Sequence, residues 1–195
     1  MSGRPAVFLD RDGVLNELVP SLLTGVSESP LKVDDVRLVA GAAAAVRELA
    51  RAGFALVCVS NQPAAAKGEA SVAQLRDVHE RVIELLAREG AVLDASRLCL
   101  HHPEGSAPGL AGSCACRKPA PGMLLDAAAG LGLDLGASWM VGDTDADVAA
   151  GQAAGCRTIM LEHPGSAHKR SSAVRPDRFA ADLAGAGLLL ATTHE

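Results

Sequence analysis

The sequence predicts a doubly wound α/β fold, a parallel sheet with helices packed on both faces. Three observations predict it. Five apolar runs, AVFL (6–9), FALVCVS (54–60), SRLCL (96–100), SWMVG (138–142) and CRTIML (156–161), have strand length and no polar alternation, as strands buried on both faces do. Longer segments with helical spacing separate them at 41–53, 71–90, 121–132 and 145–155. Glycine or a capping residue marks most of their ends, with Ser71 placed as an N-cap and Gly53, Gly90 and Gly155 as stops.

Taken in chain order, the first strand (6–9) runs straight into two acids and a glycine. A segment at 16–36, NELVPSLLTGVSESPLKVDDV, then breaks the rhythm, before the helix at 41–53 and the strand at 54–60. The helix at 71–90 leads to the strand at 96–100. A second irregular segment, HHPEGSAPGLAGSCACRKPAP (101–121), follows it. Irregular segments of this length in a compact domain are usually functional. Both follow strands, so both are expected to overhang the carboxyl edge of the sheet, where such folds bind ligands. The strand at 138–142 feeds the helix at 145–155, and the strand at 156–161 leads into a polar loop, HPGSAHKRSSAV. The segment 175–191 reads as a closing helix or strand. With 195 residues, 49% of them hydrophobic, the chain is read as one domain (1–195) with no large cap domain.

Composition narrows the function. Aromatic residues make up 2% of the chain, Tyr is absent and the net charge is -5, so neither a stacking platform nor a basic footprint for nucleic acid is present. No run approaches the roughly 18 to 20 apolar residues of a membrane span, and no secretory leader is legible, which points to the cytoplasm and to a monomer without a membrane partner. Five Cys, an odd number with three between 99 and 116, suit a metal site better than a disulfide framework. Cys58 and Cys156 lie in apolar runs and read as small buried hydrophobes.

Four stretches carry chemistry. In VFLDRDGVLN, Asp10 and Asp12 are two residues apart on an extended segment and point to one side, where they can converge on one reacting centre, while Gly13 permits a sharp turn. In VGDTDADVAAG, Asp143 ends a strand and offers another oxygen for a hard cation. Asp147 lies one helical turn further on, and Asp145 suits the positive end of the helix that follows. In LVCVSNQ, Ser60 and the backbone of Asn61 reach the same edge, where a hydroxyl and an N–H suit a phosphoryl oxygen. Lys118, preceded by Arg117, supplies positive charge near the acids. Separately, Cys99, Cys114, Cys116 and one of the adjacent His101 and His102 give a tetrahedral N/S ligand set. A closed set of this kind leaves no position for a reacting water, so it is read as structural. His79, His163, His168 and His194 are read as surface residues outside these groups.

The ordered signatures DRDG, SNQ, RKP and GDTDAD resemble those of the haloacid dehalogenase superfamily of Mg2+-dependent phosphatases, across roughly residues 7–161. DRDGVLN with C-x-H and CACRKPAPGM is similar to the zinc-containing branch that holds heptose bisphosphate and histidinol-phosphate phosphatases. The resemblance implies a Rossmann-like fold and hydrolysis of a small sugar phosphate through an aspartyl-phosphate. It makes Asp10 the nucleophile and Asp12 the general acid and base. Mg2+ would be held by Asp10, Asp143 and the backbone carbonyl of Asp12, and Zn2+ by Cys99, His101, Cys114 and Cys116. Ser60 and Lys118 would bind the transferring group, and Arg11, Asn61 and Arg117 would join them at the substrate. The segments 16–36 and 99–118 become a substrate loop and a zinc loop. The chain departs from that branch at PAAAKG (63–68), at Thr144 where a base is frequent, and in the longer 16–36 segment, all on the leaving-group side. Histidinol phosphate or another small phosphomonoester is the alternative substrate, and a non-catalytic zinc and phosphate binding module a remote one.

Overall fold

The computed structural model describes residues 3–20, 25–171 and 174–191. Strand β1 (Ala6–Leu9) is followed by a short hairpin of β2 (Val19–Pro20) and β3 (Ser27–Glu28), then by α1 (Ala42–Arg51) and β4 (Ala55–Asn61). Helix α2 (Val72–Arg88), β5 (Ala95–Cys99), α3 (Gly122–Leu131), β6 (Trp139–Gly142), α4 (Asp145–Ala153) and β7 (Arg157–Leu161) continue the alternation. β8 (Arg178–Ala180) and α5 (Leu183–Ala191) close it. The predicted strands and helices are all present, shifted by one or two residues at their ends. The closing segment contains both a strand and a helix, and the polar loop before it contains a 3-10 turn, Pro164–Lys169. His194 lies outside the described residues.

Six strands form one parallel sheet in the order β5-β4-β1-β6-β7-β8. Side chains alternate across β1. Val7 and Leu9 pack with Val46 and Leu49 of α1, Val78 and Val82 of α2, and Leu183 and Leu190 of α5. Ala6 and Phe8 pack on the other face with Met123 and Leu124 of α3 and Ala150 of α4. Both faces of β1 are therefore apolar, which is why its sequence shows no alternation. The register pairs Leu9 with Cys58 on one side and with Val141 on the other. β1 and β6 thus end within a residue of each other while β4 runs on to Asn61, and the strand order reverses about β1, opening the crevice where a doubly wound sheet binds its ligand.

Local sequence sets several element ends. The Ser71 side chain accepts from Gln74 N at 3.1 Å while Gln74 returns a carbonyl to Ser71 N at 2.8 Å, a reciprocal cap for α2. Buried Ser138 accepts from Ala6 N at 2.8 Å and donates to Asp134 O at 2.5 Å, fixing the entry of β6 beside β1. Cys58 and Cys156 are buried as expected, and burial pushes both thiols up to about 12. Among the described residues, no helix is long and apolar enough to cross a membrane.

Candidate active site and metal centres

The crevice is a cavity of about 450 Å³ at the carboxyl edge of the sheet. Asp10 and Asp12 enter it from β1, Asn61 to Ala64 and Lys67 from the end of β4, Asp143, Thr144, Ala146 and Asp147 from β6 and α4, and Lys118 from the segment after β5. Leu18, Val26, Glu28, Ser29 and Leu31 of the 16–36 segment line it as well.

Lys118 is the keystone of its charge pattern. The buried ammonium lies 2.9 Å from Asp10 Oδ1 and 2.6 Å from Asp147 Oδ1, and donates to Val59 O at 2.7 Å. Burial alone would lower its pKa, but the two carboxylates outweigh burial and raise it, so it stays charged. Its backbone is held too. Asn61 donates to Lys118 O at 3.0 Å and accepts from Lys118 N at 3.1 Å, so the Asn61 amide is spent on positioning Lys118. The peptide Lys118–Pro119 is cis.

Asp12 sits in a different environment. Its two oxygens accept from Arg11 Nε and Nη2 at 3.0 to 3.2 Å, from Asn16 Nδ2 at 2.9 Å, from Ser29 Oγ at 2.9 Å and from Gln62 Nε2 at 2.6 Å. Burial raises its pKa, but the Arg11 charge and these hydrogen bonds prevail and hold the carboxyl below its usual range. Arg11, expected at the substrate, is instead wholly buried and turned onto Asp12, and it does not line the cavity. Ser60 is buried beneath Gln62, whose amide donates to Ser60 Oγ at 2.9 Å, leaving the hydroxyl proton uncommitted.

Asp10, Asp143 and Asp147 bring one oxygen each to within 4.8 Å of one another. Burial first, then Asp147, pushes Asp10 up to about 7, and the same two causes push Asp143 up to about 6. Asp143 Oδ1 is buried without a hydrogen-bond partner. Six carboxylates face the cavity against four Lys and Arg side chains. Three converging, mutually repelling acids with an orphaned oxygen fit a hard divalent cation. Gly13 makes room for them: a Cβ there would stand 2.2 Å from Asp143 Oδ2, and its φ of 82° favours glycine in any case. Asp147, one helical turn past Asp143, therefore joins the acidic cluster. Thr144 donates to Asp147 Oδ2 at 2.6 Å through its hydroxyl and at 3.0 Å through its N–H, holding that carboxylate in place.

The second cluster lies beside the crevice. Cys116 Sγ is 3.2 Å from Cys99 Sγ and from Cys114 Sγ, and 3.5 Å from His101 Nδ1, while Cys99 Sγ lies 3.6 Å from Cys114 Sγ and 3.8 Å from His101 Nδ1. A tetrahedron with Zn–S bonds of about 2.3 Å has edges of about 3.8 Å, whereas a disulfide needs sulfurs about 2 Å apart. The donor set fits zinc, and His101 faces it. His102 instead accepts from Glu104 N at 3.2 Å. Of this loop only the exit residues, Arg117 and Lys118, line the cavity.

A family model described as HAD-hydrolase-like matches residues 115–186. A D-glycero-beta-D-manno-heptose-1,7-bisphosphate 7-phosphatase of Yersinia pestis is 40% identical over 83% of this chain and 81% of its own length. The namesake proteins of Escherichia coli (strain K12) and Rhodopseudomonas palustris are 40% and 39% identical over 83% and 82% of this chain, and over 80% and 84% of their own lengths. The chain belongs to the HAD-like phosphatase family. Its fold agrees, with a TM-score of 0.80 and 30% identity to the crystal structure of D,D-heptose 1,7-bisphosphate phosphatase from B. bronchiseptica, complexed with magnesium and phosphate. That likeness covers 97% of this phosphatase and 99% of the other chain. In the phosphatase, two of the histidines read as surface residues do more. His168 is exposed but lines the cavity, and half-buried His79 keeps a buried Nδ1 without a partner.

Proposed function

We propose that the enzyme removes one phosphate from a heptose 1,7-bisphosphate, the 7-phosphate, using Mg2+ in the crevice and Zn2+ in the Cys/His loop. One observation carries the chemistry: Asp10 and Asp12 stand side by side with opposite environments. Asp10 is pressed by acids and bound to Lys118, while Asp12 is held by donors. Asp10 attacks phosphorus in line, forming an aspartyl-phosphate as the bond to the sugar oxygen breaks. Asp12 gives that oxygen a proton, then accepts one from the water that cleaves the acyl phosphate. Hydrogen bonds from five donor atoms favour its ionised form; an arriving phosphate dianion favours the protonated form needed for the first step.

Asp10, Asp143 and Asp147, with the backbone carbonyl of Asp12, would hold Mg2+, which supplies charge to offset repulsion between a carboxylate nucleophile and a phosphate dianion. Lys118 faces the transferring group, with Ser60 beneath it. Arg117, anchored by a bond to His101 O at 3.3 Å, reaches toward the rest of the substrate. Zinc on Cys99, His101, Cys114 and Cys116 would be structural, since all four positions are protein ligands. The thiols need a reducing compartment, which supports a cytoplasmic enzyme, and we read it as a monomer acting on a small molecule.

The names and identities of the relatives support the heptose substrate. A phosphate-release panel tests it, comparing both anomers of heptose 1,7-bisphosphate with histidinol phosphate and hexose phosphates by kcat/KM. A heptose bisphosphate is expected to lead the panel; a clear lead by histidinol phosphate moves the enzyme to the sister specificity.

A further inference from the structure

The cavity wall carries four Lys and Arg side chains, and Lys118 is spent on Asp10 and Asp147. Among the described residues the other three, Lys67, Arg117 and Lys169, enter no ion pair. Lys67 and Arg117 belong to one flank. The segment bearing Lys67 packs on the zinc loop, with Ser106 N and Ala107 N donating to Ala66 O at 2.7 and 3.0 Å. Lys169 stands alone on the opposite flank, beyond β7, where the neighbouring cavity residues Asp143 and Asp147 are acids. Exposed His168 lines the cavity beside it, and Lys169 is the one Lys or Arg that lines that flank among the described residues.

The segment that presents Lys169 is anchored. Arg170 Nη1 donates to Leu161 O at 3.1 Å, His163 O at 3.0 Å, Ser166 Oγ at 3.3 Å and Asp143 O at 3.4 Å. Ser171 donates to Asp145 Oδ2 through its N–H at 2.6 Å and its hydroxyl at 2.7 Å. Upstream, buried Ser166 donates to His163 O at 3.0 Å. The residues after Lys169 are thus tied to Asp143 O, to the end of β7 and to the first turn of α4, and the turn before it is bonded within itself, so the Lys169 side chain is the part left to order when a ligand arrives.

Resting on the reading of the chain as a sugar bisphosphate phosphatase, we propose that Lys169, held by the 163–171 strap, is a specificity residue. It receives the anionic group that the substrate carries away from the reacting phosphate, across the cavity from Arg117. The quantity to measure is the ratio of kcat/KM for the heptose bisphosphate to kcat/KM for the heptose 7-phosphate that lacks the distal phosphate. Lys169→Ala is expected to lower this ratio about tenfold, the weight of one charged hydrogen bond, through KM for the bisphosphate, and Lys169→Arg to restore it. An unchanged ratio overturns the assignment. So does an equal loss on both substrates, or a rise in half-saturating Mg2+, which would put Lys169 on the reacting group or the metal. Wild-type enzyme that cleaves monophosphates without preferring the bisphosphate overturns the underlying reading together with this assignment. That pattern is distinct from a wild-type preference that survives Lys169→Ala.

Discussion

The two clusters at the carboxyl edge of the sheet are built on opposite principles. In the crevice, Asp10, Asp143 and Asp147 converge under burial with one buried lysine between them, and Asp143 keeps an oxygen without a partner. In the neighbouring loop, three sulfurs and one imidazole nitrogen lie within 4.8 Å of one another, a full set of four donors for a tetrahedral metal. The first arrangement stores unbalanced charge that a cation and a phosphate complete; the second is complete with a metal alone. The function proposed above therefore assigns the chemistry to the unfinished cluster and the holding of Arg117 and Lys118 to the finished one.

The sharpest way to break this contrast is Asp10→Asn, which keeps shape and removes the nucleophile. Turnover is expected to fall by at least about a hundredfold, with the thermal midpoint held or raised, since one of three repelling acids is gone. Activity within about tenfold of wild type would remove Asp10 from the nucleophile's role. Gly13→Ala comes next. It drives a methyl group into Asp143 Oδ2 at 2.2 Å and strains a backbone at φ 82°, so the Mg2+ concentration for half-maximal activity should rise about tenfold or more. A smaller change in Mg2+ dependence than in thermal midpoint would mean that the glycine serves the turn and not the acid.

For the finished cluster, metal analysis should return about one zinc per chain. Stripping it is expected to lower the thermal midpoint and raise KM for the bisphosphate severalfold, because His101 O anchors Arg117. Zinc-free protein with native kinetics and stability would show the loop to stand without its metal.

How much of this was legible follows from how each residue acts. The strands were, because burial on both faces writes an uninterrupted apolar run. Asp10, Asp12, Asp143 and Lys118 were, because acids and a lysine at strand ends have few other uses. Asp147 was legible only as an acid one turn past Asp143, because its meeting with Lys118 and Asp10 depends on distant segments. Asn16, Ser29 and Gln62 reach Asp12 from separate segments, and such long-range donors leave no local pattern. Arg11 was misassigned although the period of two already argued against it: on an extended segment it faces away from Asp10 and Asp12, and only its long side chain returns to Asp12. Lys169 and His168 were hidden in a polar loop whose anchoring depends on distant Asp143 and Asp145.

The smallest expected effect lies behind the crevice, at His79, and it separates stability from catalysis. Burial, and after it the Arg11 charge, lowers the imidazole pKa to about 4, while Asp12 pulls the other way. In the unfolded chain the same ring titrates near its ordinary value of about 6.5. The folded state therefore binds fewer protons between these values. The stabilising contribution is complete above about pH 6.5 and is lost as pH falls through about 4. His79→Leu removes the titration and also the buried Nδ1 that lacks a partner. Between pH 7.5 and 5, wild type should lose about 1 kcal/mol more than the variant after solvent screening of a half-buried ring, or about 2 to 4 °C of thermal midpoint. Parallel pH profiles for the two proteins would mean that the imidazole pKa does not change on folding. A parallel loss of kcat in the variant at neutral pH would instead tie His79, through Arg11, to the orientation of Asp12.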